Sequence, residues 1–395
     1  MTNRQVYVVS TARTAIGTYG GSLKDVQLSK LATTAVRAAL QRSMIDPLEV
    51  GHVVLGNVVP TEPADAYLSR VASVDAGVSH ETPAFNVNRL CGSGLQALVS
   101  SAQSILLGET EVAIAAGAES MSRGIYVMPS ARWGQRMGDS QIVDYMNGIL
   151  HDPWKRTHMG VTAENVAARY GITREQQDEL ALESQTRAAR AIAEGRFADQ
   201  IVPVEVKSRG KTTIFATDEH VRADVTHEKL SQMKPVFLKE NGTVTAGNAS
   251  GINDGASAVV LASDQRCQEL GLQPLARLVS YAHAGVDPDY MGIGPVPATK
   301  LALKRAGLTI DALDVIEANE AFAAQALAVT KELQLDPAKV NPNGSGISLG
   351  HPVGATGCII TTKAIAELHR IQGRYALVTM CIGGGQGIAA IFERV

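Results

Sequence analysis

Apolar positions along the chain fall into two kinds of run, and the two kinds alternate. Leu28 to Met44 carries Leu28, Leu31, Ala35 and Ala39 near helical spacing and predicts a helix. Val53-Val54-Leu55 follows as an unbroken apolar run, the pattern of a strand covered on both faces. Leu95 to Leu107 repeats the helical pattern and stops at Gly108, and Val112 to Ala116 repeats the strand and stops at Gly117. Continuous apolar strands alternating with helices predict an α/β fold whose sheets are covered by helices.

The C-terminal third replays this order. Lys300 to Ala306 reads as helix, and Val315 to Ala318 as a strand ending at Asn319-Glu320. Asn343-Gly344-Ser345-Gly346 echoes Cys91-Gly92-Ser93-Gly94, and a helical run from about Gly357 to His369 leads into the strand Tyr375 to Thr379. The halves read as an internal duplication carried by order and punctuation rather than identity. Met121 to Gly247 breaks the pattern. It holds both tryptophans, a helix predicted over Arg174 to Glu194 and a charged hairpin-like stretch from Val202 to Val221. It reads as an insertion, a lid that also makes oligomer contacts, with Tyr126 to Trp133 apolar enough for an interface. The expected division is residues 1–120 plus 248–273 as the N-terminal half, 121–247 as the loop region and 274–395 as the C-terminal half.

At 395 residues and 45% hydrophobic content, the chain can bury a large core across two or three domains. A net charge of −3 with no long basic run argues against a nucleic-acid partner. The 4 cysteines, at 91, 267, 358 and 381, form neither a CxxC nor a zinc pattern, so no metal is expected and reduced thiols are. Arg4 leads straight into the strand-like Gln5 to Ser10, with no secretory core or Arg-rich leader, and no apolar stretch reaches the length of a bilayer span. The expectation is a cytoplasmic protein without a membrane partner.

Chemistry concentrates where cysteine or histidine meets glycine. Cys91, in Asn88-Arg89-Leu90-Cys91-Gly92-Ser93-Gly94, stands at the predicted start of a helix, where N–H groups and the helix dipole favour an anion. It reads either as a nucleophile or as a buried structural cysteine. His351, in Leu349-Gly350-His351-Pro352-Val353-Gly354, is the side chain best suited to trade protons near neutrality, or else a surface loop histidine. Cys381 ends a strand and begins a run of glycines, the position where open α/β sheets place their sites, or a turn that glycine merely permits. Asn319 reads as a partner of His351 or of a water, as a helix N-cap, or as both. His158 and Met159 read as channel lining or as packing. One thiol, one base and two glycine-flanked turns supply acyl transfer, and a second glycine-flanked thiol adds acid–base chemistry at carbon.

Together these segments resemble the thiolase family over essentially the whole chain, from about Val6 to Arg394. The motif around Cys91, Gly117-Ala118-Glu119-Ser120-Met121-Ser122, Asn319-Glu320-Ala321-Phe322, Gly350-His351-Pro352 and Cys381-Ile382-Gly383-Gly384-Gly385 occur in the family's order. Within the family the chain most resembles the bacterial β-ketothiolases, or acetyl-CoA acetyltransferases. The resemblance implies a duplicated fold with a five-layered α/β/α/β/α core and an inserted loop domain, assembled as a homotetramer, a dimer of dimers. It implies reversible Claisen condensation of an acyl-CoA with acetyl-CoA, with coenzyme A as substrate and product and no tightly bound cofactor. It assigns Cys91 as the acyl carrier, His351 as its activator, Asn319 as holder of a water beside the enolate oxygen, and Cys381 as the α-carbon acid/base. The N–H groups of Cys91 and Gly383 become the oxyanion hole. Leu150, His158, Met159, Arg222 and Ser250 fall where the family lines its coenzyme A and acyl pocket. Where many acetoacetyl-CoA thiolases carry Gly-Gly-Ala, this chain has Asn343-Gly344-Ser345-Gly346-Ile347-Ser348, the form of β-ketothiolases that accept longer chains. Polyhydroxyalkanoate precursor synthesis and fatty-acid β-oxidation both fit such an enzyme. Two alternatives compete: a decarboxylating condensing enzyme, disfavoured because Cys381 stands where such enzymes carry histidine or asparagine, and a non-catalytic acyl-CoA-binding scaffold.

Overall fold

The computed structural model describes residues 4–208 and 210–395. Among these residues nine strands form the main path of the sheet: β1 Val6–Arg13, β2 His52–Gly56, β3 Ala84–Val87, β4 Val112–Ser120, β5 Asn253–Ser263, β6 Ala276–Gly285, β7 Val315–Ala318, β8 Tyr375–Ile382 and β9 Gln386–Arg394. Their order is β7-β8-β9-β6-β1-β5-β4-β2-β3, and a two-residue strand at Gly17–Thr18 adds to β5. The helices that matter to the site are α1 Leu28–Ser43, α2 Ser93–Leu106, α3 Met159–Tyr170, α4 Arg174–Ala193, α5 Pro295–Ala306, α6 Ala323–Leu333 and α7 Thr356–Ile371.

The sheet order exposes the duplication. From β1 outward the first half runs β5, β4, β2, with two antiparallel pairings and then a parallel one. From β6 outward the second half runs β9, β8, β7 with the same three relationships. Even β3, parallel to β2, has a vestigial counterpart in the parallel bridge from Ile316 to Val340. The halves join where Tyr7 and Val8 pair antiparallel with Arg277 and Ala276.

Unbroken apolar strands form because both faces of each half are covered. Val53 and Leu55 pack under α1, while Val54 between them faces α2. Val112 and Ile114 likewise face α1, with Ala113 and Ala115 turned inward. In the second half Leu377 and Ile391 lie under α5 and α6, while Val378 and Ala390 face inward toward α7. The inward faces of both halves share one apolar cluster with α2 and α7 between them. The layers are therefore α1, first sheet half, α2 with α7, second sheet half, and α5 with α6.

α2 and α7 occupy matching places, so the structural counterpart of Cys91-Gly92-Ser93-Gly94 is Gly354-Ala355-Thr356-Gly357, immediately before and into α7. The echo at Asn343-Gly344-Ser345-Gly346 is a different feature: it opens a one-turn helix, Gly346–Leu349. Composition matched there without a shared fold position. The two central helices cross at Gly94 and Gly357. A Cβ on Gly94 would lie 2.9 Å from the backbone nitrogen of Cys358, and one on Gly357 would overlap that of Leu95. Only glycine permits this approach, and it brings the two helix N-termini together.

Between β4 and β5 the chain forms a two-residue ribbon, Tyr126–Val127 with Val143–Asp144, then α3, α4 and the hairpin Val204–Ser208 with Lys211–Phe215. A fully buried bidentate pair ties this region to the sheet: Arg13 at the end of β1 holds Asp218 at 2.8 and 2.9 Å. Among the described residues no helix is long and apolar enough to cross a membrane.

Candidate active site

A cavity of about 300 Å³ lies beyond the N-termini of α2 and α7 and the end of β8, lined by Cys91, His351, Cys381 and Gly383. It runs along the seam of two apolar clusters. Val58, Val59, Met121, Met146 and Val353 form the one against Cys91. Met159, Val244, Met291, Ala321 and Phe322 form the one around Cys381.

Cys91 sits on a tight elbow. Leu90 has φ +47°, the left-handed region, and the Asn88 side chain accepts its N–H at 2.9 Å to fix the turn. The Ser93 hydroxyl closes the elbow, accepting from the N–H of Arg89 at 2.9 Å and donating to the carbonyl of Leu90 at 2.7 Å. α2 then starts at Ser93, two residues after the thiol. Burial pushes the Cys91 thiol up to about 11, opposed by the backbone N–H groups of Gly383 and of Cys91 itself. At neutral pH it rests as a thiol near the backbone N–H groups of Gly383 and of Cys91 itself.

Cys381 is fully buried on β8, one residue before the strand ends. Burial first, and Cys91 next, push its thiol far above the ordinary range. The effect of one cysteine on the other reflects their closeness in the cavity.

His351 is buried, and burial lowers its imidazole from 6.5 to about 4, so the ring is neutral. Its backbone N–H donates to Asn253 Oδ1 at 2.9 Å. Its Nδ1 lies 2.7 Å from the hydroxyl of Thr356, which donates its own proton to the carbonyl of Pro352 at 3.0 Å. The hydroxyl is therefore free only to accept, Nδ1 carries the hydrogen, and Nε2 keeps its lone pair. The Asn319 amide nitrogen stands over the ring, 3.4 Å from Nε2 and 3.5 Å from Nδ1. Asn319 caps no helix: α6 begins at Ala323, with Phe322 at its cap.

Leu150, His158, Met159 and Ser250 line the cavity. His158 stacks on Phe237 at 4.6 Å and stands edge-on to His151. Its Nδ1 accepts the N–H of Gly160 at 3.0 Å, and burial lowers the ring to about 4, so His158 is neutral with a hydrogen on Nε2. Arg222 differs from the expectation. It is exposed, lies outside the cavity lining, and is fixed through its backbone N–H to Gln185 at 2.8 Å. Ser345 and Ser348 also stay out of the lining: the Ser348 hydroxyl lies 2.8 Å from that of Ser184, which donates to buried Glu320 at 2.6 Å. Ser348 thus belongs to a buried polar network that reaches Glu320 through Ser184.

Two neighbours of the site were given no role in the sequence reading, although Glu119 stood within one of its motifs. Thr356 fixes the imidazole, and Glu119, fully buried near the end of β4, accepts from Asn57, Val58, Val59 and Gly354. Burial pushes its carboxyl up to about 8 against the three backbone N–H bonds. One signal was available: Glu119 is the first charge after the unbroken apolar run from Val112 to Ala118.

A neutral base, a thiol near two N–H donors and a second buried thiol in one apolar cavity form a constellation for acyl transfer with proton transfer at carbon. Known proteins resemble the chain over its whole length. The family model "Thiolase, N-terminal domain" matches residues 6–265 and "Thiolase, C-terminal domain" matches 272–394. The chain is 67% identical to beta-ketothiolase BktB of Cupriavidus necator over 99% of this chain and 100% of that one. It overlays the Bacillus anthracis acetyl-CoA acetyltransferase with a TM-score of 0.97 at 46% identity, covering 99% of each chain. It overlays human mitochondrial 3-ketoacyl-CoA thiolase in complex with CoA with a TM-score of 0.96 at 45% identity, over 99% of this chain and 98% of that one. The order of its motifs, the duplicated fold and these likenesses agree, and the chain belongs to the thiolase family.

Proposed function

We propose that this protein is a β-ketothiolase that joins an acyl-CoA to acetyl-CoA, and cleaves the 3-ketoacyl-CoA product in the reverse direction, through an acyl-Cys91 thioester. The observation that carries the reading is the convergence of Cys91, neutral His351 and Cys381 on one cavity.

The protonation states order the steps. His351 Nε2 takes the Cys91 proton, the thiolate attacks the thioester carbonyl, and the N–H groups of Cys91 and Gly383 receive the oxyanion. Coenzyme A leaves with the proton of Cys381. The Cys381 thiolate, a strong base because burial disfavours it, removes an α-proton from acetyl-CoA. The imidazolium of His351 and a water on Asn319 stabilise the enolate oxygen. The enolate carbon attacks acyl-Cys91, and the departing Cys91 sulfur recovers its proton from His351. Cys91, His351 and Cys381 all end in their starting protonation states, the α-proton of acetyl-CoA replacing on Cys381 the one that left with coenzyme A, so the cycle balances with these three groups alone. Leu150, His158, Met159 and Ser250 hold the acyl and pantetheine portions, and exposed Arg222 meets charge at the mouth.

The same reading gives a cytoplasmic homotetramer built as a dimer of dimers, with residues 1–120 plus 248–273 and 274–395 as the two halves and 121–247 as the loop domain. Exposed Tyr126, Met128 and Trp133 in the loop region and exposed Phe85 on edge strand β3 support self-association.

The test is coenzyme A-dependent cleavage of acetoacetyl-CoA beside 3-ketovaleryl- and 3-ketohexanoyl-CoA, with Cys91→Ala as control. Cleavage lost in the variant supports the reading. Absence of cleavage in the unaltered protein, or its survival in the variant, rejects it.

A further inference from the structure

Glu119 accepts four hydrogen bonds and donates none. Oε1 takes the Asn57 amide and the N–H of Val59, both at 2.9 Å. Oε2 takes the N–H of Val58 at 3.2 Å and that of Gly354 at 2.7 Å. Burial pushes this carboxyl up to about 8, but a protonated carboxyl would have to aim its hydrogen at one of these donors, so the four-donor cradle opposes that push and favours the carboxylate. The partners belong to two segments far apart in the chain. Asn57 to Val59 follow β2 and feed the apolar wall beside Cys91. Gly354 ends the four-residue loop that begins at His351.

The loop has little other freedom. A Cβ on Gly354 would lie 2.7 Å from Glu119 Oε2 and 3.0 Å from the Asn57 Cα. A Cβ on Gly94, three residues past Cys91, would lie 3.0 Å from the Gly354 carbonyl oxygen. The backbone of the His351 loop is thus wedged between the Cys91 helix and the Glu119 carboxylate.

We propose that Glu119 is a positioning residue for the thiolase reaction: its carboxylate clamps the loop after β2 to the His351 loop and so sets the imidazole in register with Cys91. It acts through Gly354 and Val353, without touching substrate. The inference rests on the thiolase reading.

Glu119→Gln tests it. The amide has the same shape but a single acceptor oxygen, so its NH₂ group must face two N–H donors and one half of the clamp opens. The expected result is a folded protein whose kcat for acetoacetyl-CoA cleavage falls roughly 100-fold, the loss typical of a displacement on the order of 1 Å, while KM stays within about threefold. Alkylation of Cys91 by iodoacetamide slows at least about tenfold, because the base is displaced. Asn57→Ala removes one side-chain donor and leaves the three backbone donors; it gives a smaller loss of the same kind, in kcat and not in KM. A folded Glu119→Gln protein with kcat within about threefold of the unaltered enzyme overturns the proposal, as does a loss confined to KM or one matched by the fraction unfolded. If Glu119→Gln does not fold, unchanged kcat in Asn57→Ala overturns it instead. An unaltered protein that fails to cleave acetoacetyl-CoA counts against the thiolase reading, not against the clamp.

Discussion

The Nδ1–H of His351 donates to the hydroxyl of Thr356 at 2.7 Å, and Thr356 spends its own hydrogen on the carbonyl of Pro352. This pair leaves Nε2 as the only basic nitrogen of a neutral ring. Thr356→Val removes the acceptor while keeping the side chain's volume. It strands a buried Nδ1–H and frees the other tautomer, so kcat is expected to fall roughly 100-fold, within the usual range of a general base. Thr356→Ser keeps the hydroxyl and stays near the unaltered rate. Steady-state cleavage of acetoacetyl-CoA by the two variants separates the outcomes; equal activity in both would show that the tautomer is set elsewhere.

Stability against pH carries the same signature. Burial lowers His351, His158, His220 and His283 from 6.5 to about 4 each. Each ring charges in the unfolded chain below about pH 6.5, while the folded state resists until near pH 4. The unfolded state therefore binds more protons across that window, and stability falls as pH drops through it. For fully buried His351 alone the loss reaches about 3 kcal/mol by pH 4. Urea midpoints between pH 4 and 6.5 should carry this upward component, set against the opposite one from Glu119 and Glu317, whose carboxyls burial pushes up to about 8 and about 7. His351→Asn should remove part of the upward component; an unchanged slope would contradict the burial argument.

Chain-length preference should follow the wall and not the serines. Ser348 points at Ser184 in the Glu320 network, whereas Leu150 lines the cavity. Leu150→Ala is expected to shift the kcat/KM ratio of 3-ketohexanoyl- to acetoacetyl-CoA upward by roughly tenfold, the scale for a few methylenes in an apolar pocket. Ser348→Ala is expected to lower kcat for both substrates alike, through the Glu320 network. Kinetics with the two substrates decide it, and a changed ratio in Ser348→Ala would restore a direct role for that loop.

Much of this was legible because it is local. An apolar run such as Val112 to Ala118 announces a strand covered on both sides, and Cys91, His351 and Cys381 advertise themselves by residue type beside glycines. The duplication was readable as order, yet its register was not. Asn343-Gly344-Ser345-Gly346 matched Cys91 to Gly94 in composition, while the fold pairs that segment with Gly354 to Gly357, because the packing of α2 on α7 decides equivalence. The role of Glu119 stayed hidden for a similar reason. Its partners lie about 60 residues before it and 235 after it, and three of its four bonds go to backbone N–H groups, which leave no mark in side-chain chemistry. Arg222 shows the converse: a motif position transferred readily, but its side chain stands in solvent outside the cavity lining.

The most direct test of the account is mass analysis of Cys381→Ala protein mixed with acetyl-CoA. With the α-carbon base removed and the nucleophile intact, coenzyme A must depart without the Cys381 proton, so acetylation is slowed but should still accumulate on the Cys91 peptide, while condensation to acetoacetyl-CoA and exchange of the acetyl-CoA α-protons with deuterated solvent both disappear. Acetyl label on another residue, or α-proton exchange at the unaltered rate in this variant, would contradict the division of labour between the two cysteines.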